Sequence, residues 1–190
     1  LGARKNSRNQ RKIYPYDRYC RGINKMNFAQ IRSMDISNGE GIGVSIFVQG
    51  CPIHCNGCFN SEAWDFNGGK RWTIDTKNKL LELLDKPYIS RCSILGGEPL
   101  AKQNMQDICK LCKEIKDKFP EKKIWLYSGY QYESLSSEQF KVLLFVDVLV
   151  DGRYDETLKN PSLKFRGSSN QRVINIPETL KQNKVILYCD

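Results

Sequence analysis

Three cysteines, Cys51, Cys55 and Cys58, fall within eight residues of the run Cys-Pro-Ile-His-Cys-Asn-Gly-Cys-Phe-Asn. Thiolates are soft ligands that suit iron–sulfur clusters or zinc. A structural zinc site is closed by four ligands, and clusters that only carry electrons commonly use four cysteines. The C-x3-C-x2-C spacing supplies three thiols with no obvious fourth partner, so a cluster held here keeps one iron open to a further ligand. His54 is the chain's only histidine and lies beside Cys55, where joining the same metal as its neighbour is sterically awkward. A single histidine also removes two-histidine metal motifs and argues against a Ser-His-Asp site. The second chemical signal is Gly96-Gly97-Glu98-Pro99. Two glycines let a backbone approach a ligand closely, and Glu98 can offer a carboxylate to an ammonium group. Taken alone, Gly-Gly before a proline also describes an ordinary turn.

Other residues have a chemical and a structural reading. Cys109 and Cys112 form a C-x2-C pair, but both fall in a helical pattern, where Cys112 joins the apolar stripe, and buried small hydrophobes account for them more simply. Trp64, Phe66 and Trp72 follow the cysteine run and either cover a site, form a partner surface or build the core. Arg166 and Arg172 flank Gly-Ser-Ser-Asn-Gln and either grip a carboxylate or sit as solvated charges on a polar loop.

The elements that must position these residues are short. Val44–Val48, Cys92–Leu95, Ile124–Tyr127, Val146–Val150, Val173–Ile176 and Val185–Tyr188 are apolar, rich in β-branched residues and bounded by turn formers, and they predict strands. Helical spacing covers Thr76–Leu84, Lys102–Phe119 and Ser136–Leu144, with Pro120 ending the second and Ser136 placed to cap the third. Strand–helix alternation predicts an α/β fold with a mostly parallel sheet. A complete eightfold barrel takes about 250 residues, so the 165 residues from 26 to 190 predict an incomplete (β/α) barrel. Ligands of such folds bind at the C-terminal ends of parallel strands. The cysteine run, Gly96-Gly97-Glu98-Pro99, Ser128-Gly129-Tyr130 and Asp151-Gly152 each follow a predicted strand, so they are expected to meet at one mouth. The Gly-, Asn- and Ser-rich stretch 151–172 is expected to loop over one end.

The chain has 190 residues with 40% hydrophobic and 27% charged, a globular composition, and it contains no apolar run of membrane-spanning length. A soluble, cytoplasmic protein is expected, with its eight cysteines reduced rather than paired. The net charge of +9 is concentrated in residues 1–25, where eight Lys/Arg face one acid, leaving +2 for residues 26–190. Residues 1–25 are expected to be a disordered extension preceding one domain at 26–190, with Met26 a candidate natural start. A basic arm can bind phosphate backbones. Together with the cysteine run it permits a rival reading, a zinc-binding nucleic-acid module, though the near-neutral body makes nucleic acid an unpromising partner.

The cysteine run followed by Gly-Gly-Glu-Pro resembles the radical S-adenosylmethionine (SAM) superfamily. More narrowly, the chain is similar to the branch that activates anaerobic ribonucleoside-triphosphate reductases. The segments carrying that similarity are Met34–Gly41, Phe47–Cys51, Cys58–Asn60, Trp64–Gly69 and Phe165–Arg172. One departure is informative: the superfamily usually has an aromatic residue just before the third cysteine, whereas this chain has Gly57 there and Phe59 after it, an arrangement shared by the reductase activators. The resemblance implies an incomplete barrel of the radical SAM type. It implies a 4Fe–4S cluster on Cys51, Cys55 and Cys58, and SAM contacts from Gly57, Phe59, Gly96, Gly97 and Glu98. It implies an oxidoreductase that takes an electron from a low-potential donor, cleaves SAM to methionine and a 5′-deoxyadenosyl radical, and leaves a glycyl radical on the large subunit of the reductase. Arg166 and Arg172 could then grip the partner's glycine loop. An activator of another glycyl-radical enzyme stays open as an alternative.

Overall fold

The computed structural model describes residues 26–189, so the basic segment 1–25, with Cys20, lies outside the described residues. Each of the six apolar runs forms a strand. They are β2 (Gly43–Val48), β4 (Arg91–Gly96), β5 (Lys123–Tyr127), β6 (Val148–Asp151), β7 (Arg172–Asn175) and β8 (Leu187–Cys189). Two further strands, β1 (Asn27–Asp35) and β3 (Lys70–Arg71), precede α1 (Ile74–Leu84). β1 escapes the apolar-run criterion because it buries little beyond Phe28 and Asp35, and its pairing with β2 is broken by two register shifts.

The helices α1, α2 (Met105–Lys118) and α3 (Ser137–Leu143) fall where the periodicity puts them. Thr73 caps α1 by accepting the Thr76 N–H, and Ser136 and Gln139 form a reciprocal capping box on α3. A fourth helix, α4 (Ile176–Gln182), starts where the fifth run was expected to remain extended. Asn175 caps it by accepting the Glu178 N–H, and Pro177 occupies its first turn.

The strands form one open sheet in the order β3-β1-β2-β4-β5-β6-β7-β8. The expectation of a mostly parallel sheet needs correction. β2, β4, β5 and β6 run parallel, but β1, β3, β7 and β8 join by antiparallel pairing. A parallel return needs a crossover of a dozen or more residues, usually a helix. Between β6 and β7 the chain carries only the 3-10 turn Glu156–Leu158, and it comes back antiparallel. The sheet does not close.

Alternation along the central strands sorts side chains onto two faces. Val44, Ile46, Val48, Cys92, Ile94, Ile124 and Leu126 pack with Leu80, Leu84, Ile108, Leu111, Ile115 and Leu143 of the helices. On the other face Trp125, Val148, Val150 and Val173 pack with Phe165 and Tyr188. That second face carries the loops rather than helices. Among the described residues no helix is long and apolar enough to cross a membrane.

Candidate functional site

β2 delivers the chain into the cysteine loop. Gly50, at φ +90°, donates its N–H to the Ala63 carbonyl (2.8 Å), and Cys51 donates to the Trp64 carbonyl (3.0 Å). The Phe66 ring lies against Gly50, where a Cβ would sit 2.0 Å from it. The loop base is thus pinned before the first thiol. Trp64 stacks on His54 at 4.4 Å, and Trp72 is buried edge-on against Phe28. Of these three aromatics none lines the site cavity: they brace the loop or fill the core.

Cys51, Cys55 and Cys58 are free, half-buried thiols, and all three line one cavity of about 540 Å³ over the second face of the sheet. Its size falls within the range of small-molecule and cofactor sites. Leu95, Tyr127 and Val150 form its floor from the C-terminal ends of β4, β5 and β6. The remaining wall comes from Ser37 and Asn38, Gly96 to Glu98, Ser128 and Gly129, Gly152 and Tyr154, and the segment from Lys159 to Gln171. Residues from all four loops line the cavity, while Pro99, Tyr130 and Asp151, and Pro52, His54 and Asn56 of the cysteine run, stand outside the lining.

The donor set suits an iron–sulfur cluster. Among the described residues, no three Cys, His, Asp or Glu side chains already converge as an ion site. What the loop offers is three unpaired thiols facing one cavity. Burial pushes the Cys51 thiol up, while hydrogen bonds from the Ile53 and His54 backbone pull it down. His54, at φ +50° and stacked on Trp64, is absent from the lining, which leaves a four-ligand zinc site without its histidine. Cys109 and Cys112 are buried on α2 within the core, as their helical spacing implied.

The glycines at the end of β4 also have a packing role. Gly96 (φ +109°) would place a Cβ 2.7 Å from the Val48 carbonyl oxygen and 2.8 Å from the Phe47 Cα. At Gly97 a Cβ would sit 2.5 Å from the Gly50 carbonyl oxygen. These glycines let β4 approach the root of the cysteine loop, in addition to lining the cavity. Gly96→Ala is expected to cost about 3 kcal/mol, combining left-handed strain with a clash against backbone that cannot rotate away. Urea unfolding of the cluster-free chain measures this, and a loss under about 1 kcal/mol would show that the two strands have slack.

Glu98 is also committed inside the protein. It is 1% exposed. Oε1 accepts from the Leu100 N–H (2.8 Å) and the Ser128 hydroxyl (2.9 Å), and Oε2 accepts from the Gly129 N–H (2.8 Å). Burial pushes the carboxyl up to about 7, while those three donors pull it down. The side chain fastens the loop after β4 to the loop after β5. Gly57 (φ +71°) and Phe59 both line the cavity, Gly57 against Glu156 and Phe59 with 88% of its surface exposed.

The two arginines of the 166–172 segment part company. Arg172 donates to both oxygens of Asp151 and both of Glu133 at 2.5–3.0 Å, so its carboxylates are internal. This overturns its reading as a grip for an outside group. Arg166 lines the cavity. Ser37, Asn38, Lys159 and Asn160 also reach the site. The first two lie in Met34–Gly41, one of the segments that carry the family similarity, and the other two in the stretch 151–172 expected to loop over one end, but none of the four is among the expected site residues.

An open α/β sheet with three thiols at the C-terminal mouth of its parallel strands is the setting for a single bound cluster. Residues 37–174 accordingly match the family model described as a 4Fe-4S single cluster domain. The chain is also 41% identical over 150 residues to an anaerobic ribonucleoside-triphosphate reductase-activating protein from Escherichia coli (strain K12), covering 78% of this chain and 97% of the relative. A protein of the same name from Enterobacteria phage T4 is 40% identical over 148 residues (78% and 93%), and one from Vibrio cholerae is 36% identical over 148 residues (77% and 96%). The chain belongs to the family of anaerobic ribonucleoside-triphosphate reductase-activating proteins.

Proposed function

We propose that this chain is an oxidoreductase of the radical SAM type that generates a glycyl radical on the large subunit of an anaerobic ribonucleoside-triphosphate reductase. The carrying observation is that Cys51, Cys55 and Cys58 share one cavity with the Gly-rich ends of β4, β5 and β6. Three thiolates would hold a 4Fe–4S cluster and leave one iron for SAM. When bound, the pair supplies reductive cleavage of SAM, driven by an electron from a low-potential donor.

The chain's own residues bind, orient and shield. Gly96 and Gly97 bring the β4 end against the root of the cysteine loop, which sets the distance between the thiols and the floor of the cavity. Gly57 and Phe59 would contact SAM beside the third thiol, and Gly96, Gly97 and Glu98 from the strand end. Glu98 contributes through the backbone it fastens, because three donors already occupy its carboxylate. No acid–base pair is required of the protein, which suits a site whose cavity lining contains no histidine among the described residues. The parallel strands, with helices on one face and the cavity on the other, support reading the open sheet as an incomplete barrel of the radical SAM type.

The test is anaerobic reconstitution with iron and sulfide, followed by reduction and addition of SAM. Methionine and 5′-deoxyadenosine should form, and an electron paramagnetic resonance signal should appear on the reductase large subunit when it is present. Zinc in the thiols with no SAM cleavage would overturn the reading. SAM cleavage with a radical on a different glycyl-radical enzyme, and none on the reductase, would retain the chemistry and replace the partner.

A further inference from the structure

Arg166 carries a buried guanidinium nitrogen that no described residue satisfies. Phe165, one residue earlier, has φ +61°, a conformation that bulky residues rarely adopt. Its ring packs edge-on against the fully buried Trp125 at 4.9 Å. The next side chain, Arg166, lines the site cavity. Its Nε is buried without a hydrogen-bond partner, and Arg166 makes no ion pair with any described residue.

The cavity offers no carboxylate of its own to this guanidinium. Glu98 is the only acid on its wall among the described residues, and both Glu98 oxygens are taken by Leu100, Ser128 and Gly129. The other cation on the wall, Lys159, is paired with Glu156. Six residues along the same segment, Arg172 shows what a satisfied arginine looks like here, with Asp151 and Glu133 both bound. A buried polar group without a partner calls for an explanation, and an absent ligand is one of the few available. The planar fork of a guanidinium matches a carboxylate in two parallel hydrogen bonds.

We propose that Arg166 binds a carboxylate brought into the cavity from outside: the methionyl carboxylate of SAM, or an acidic group on the reductase segment that approaches the mouth. The proposal rests on the function proposed above. The two sources separate experimentally.

The cluster-loaded wild type, Arg166→Gln and Arg166→Lys are titrated with SAM and with decarboxylated SAM in the absence of reductase. Association with the reductase large subunit is then measured separately. If the carboxylate is SAM's, Arg166→Gln weakens SAM binding about tenfold or more while leaving the decarboxylated analogue within about twofold, a thermodynamic cycle that isolates the pair. Arg166→Lys should recover part of the loss, since the charge survives and the fork does not. If SAM binding holds but reductase association falls tenfold, the carboxylate is the partner's. Equal weakening toward SAM and its decarboxylated analogue would mean that Arg166 only shapes the loop, and no change in any arm would mean that it binds nothing; either overturns the proposal. Unchanged iron content and melting temperature in the variants exclude misfolding. Failure of the wild type to bind SAM at all would count against the function itself, and the reductase arm would still report on Arg166.

Discussion

Alanine at Cys55 is expected to abolish the 4Fe–4S cluster and bring SAM cleavage and glycyl-radical formation down to background, and the same holds at Cys51 and Cys58. All three thiols line one cavity, and His54 does not join them there. A two-thiol remnant lacks the donors to retain a cluster against solvent. The loss should be specific to iron. These side chains are half-buried loop residues, so their removal costs the cluster-free fold no more than about 1 kcal/mol. Cys112→Ala gives the opposite pattern. Its sulfur is fully buried on α2, and its thiol is pushed well above the ordinary range by burial, so it behaves as an apolar core group. That variant should keep its iron and activity while losing about 1 kcal/mol of stability to the cavity left behind. Iron and sulfide analysis, the cluster's visible absorption and anaerobic urea unfolding read both halves of the contrast. Full iron content in Cys55→Ala would remove the ligand assignment.

Where periodicity and burial agree, the sequence predicts the elements well. The central strands are buried on both faces, and their continuous β-branched runs announce them. The amphipathic stripe of α2 and the serine cap of α3 are equally plain. β1 and α4 are harder to see, for different reasons. β1 lies outside the parallel core, and its alternation is interrupted where register slips between Phe28 and Gln30 and again between Arg32 and Asp35. α4 is signalled by Asn175, Pro177 and Glu178, but the apolar run ending at Ile176 conceals the boundary. The direction of β7 depends on what the chain does between residues 152 and 171, and that stretch contains no crossover helix to force a parallel return.

The site divides along a similar line. Cys51, Cys55 and Cys58 are adjacent in sequence, and their chemistry is legible from spacing. Glu98 and Arg172 hold partners about 30 and 20–40 positions away, respectively, so residue type alone showed neither the fastening of two loops by Glu98 nor the internal carboxylates of Arg172. Ser37 and Asn38 are the clearest case. Their N–H groups are held by Asp35, whose carbonyl accepts from a buried arginine on β4 more than fifty positions downstream, a link no local pattern shows.

That arginine carries the second large effect: Arg91→Met is expected to destabilise the cluster-free chain by about 3–5 kcal/mol, as for other buried, hydrogen-bonded charges that lose their partner. Arg91 is fully buried, and its guanidinium donates to the Asp35 carbonyl (2.7 Å), the Glu40 carbonyl (3.1 Å) and the Ser93 hydroxyl (2.5 Å). The Asp35 carboxylate stands 3.5 Å away, a longer contact than those to the carbonyls, so backbone acceptors account for most of the hydrogen bonding. Gly39 and Gly43 make the space: a Cβ on either would come within 2.9 Å of the arginine side chain. Asp35 in turn accepts the backbone N–H groups of Ser37 and Asn38 at 2.8 and 2.9 Å, which fixes the turn that sets both residues on the cavity wall. Methionine matches the arginine's bulk but leaves those carbonyls unpaired, and lysine cannot reach them together, so Arg91→Lys should recover little. At Asp35, burial works against ionisation, yet the Asn38 and Ser37 donors win and hold the carboxyl down at about 2. A depressed acid contributes stability that is present above its unfolded value near 3.9 and is lost as pH falls through the folded one. Asp35→Asn should therefore be less stable than the wild type at pH 7, and the gap should narrow from about pH 4 down to 2. Chemical unfolding of the single and double variants at pH 7 and pH 3 reads these effects together. Strict additivity of Arg91→Met and Asp35→Asn, or wild-type stability in Arg91→Met, would mean that the arginine does not hold the turn.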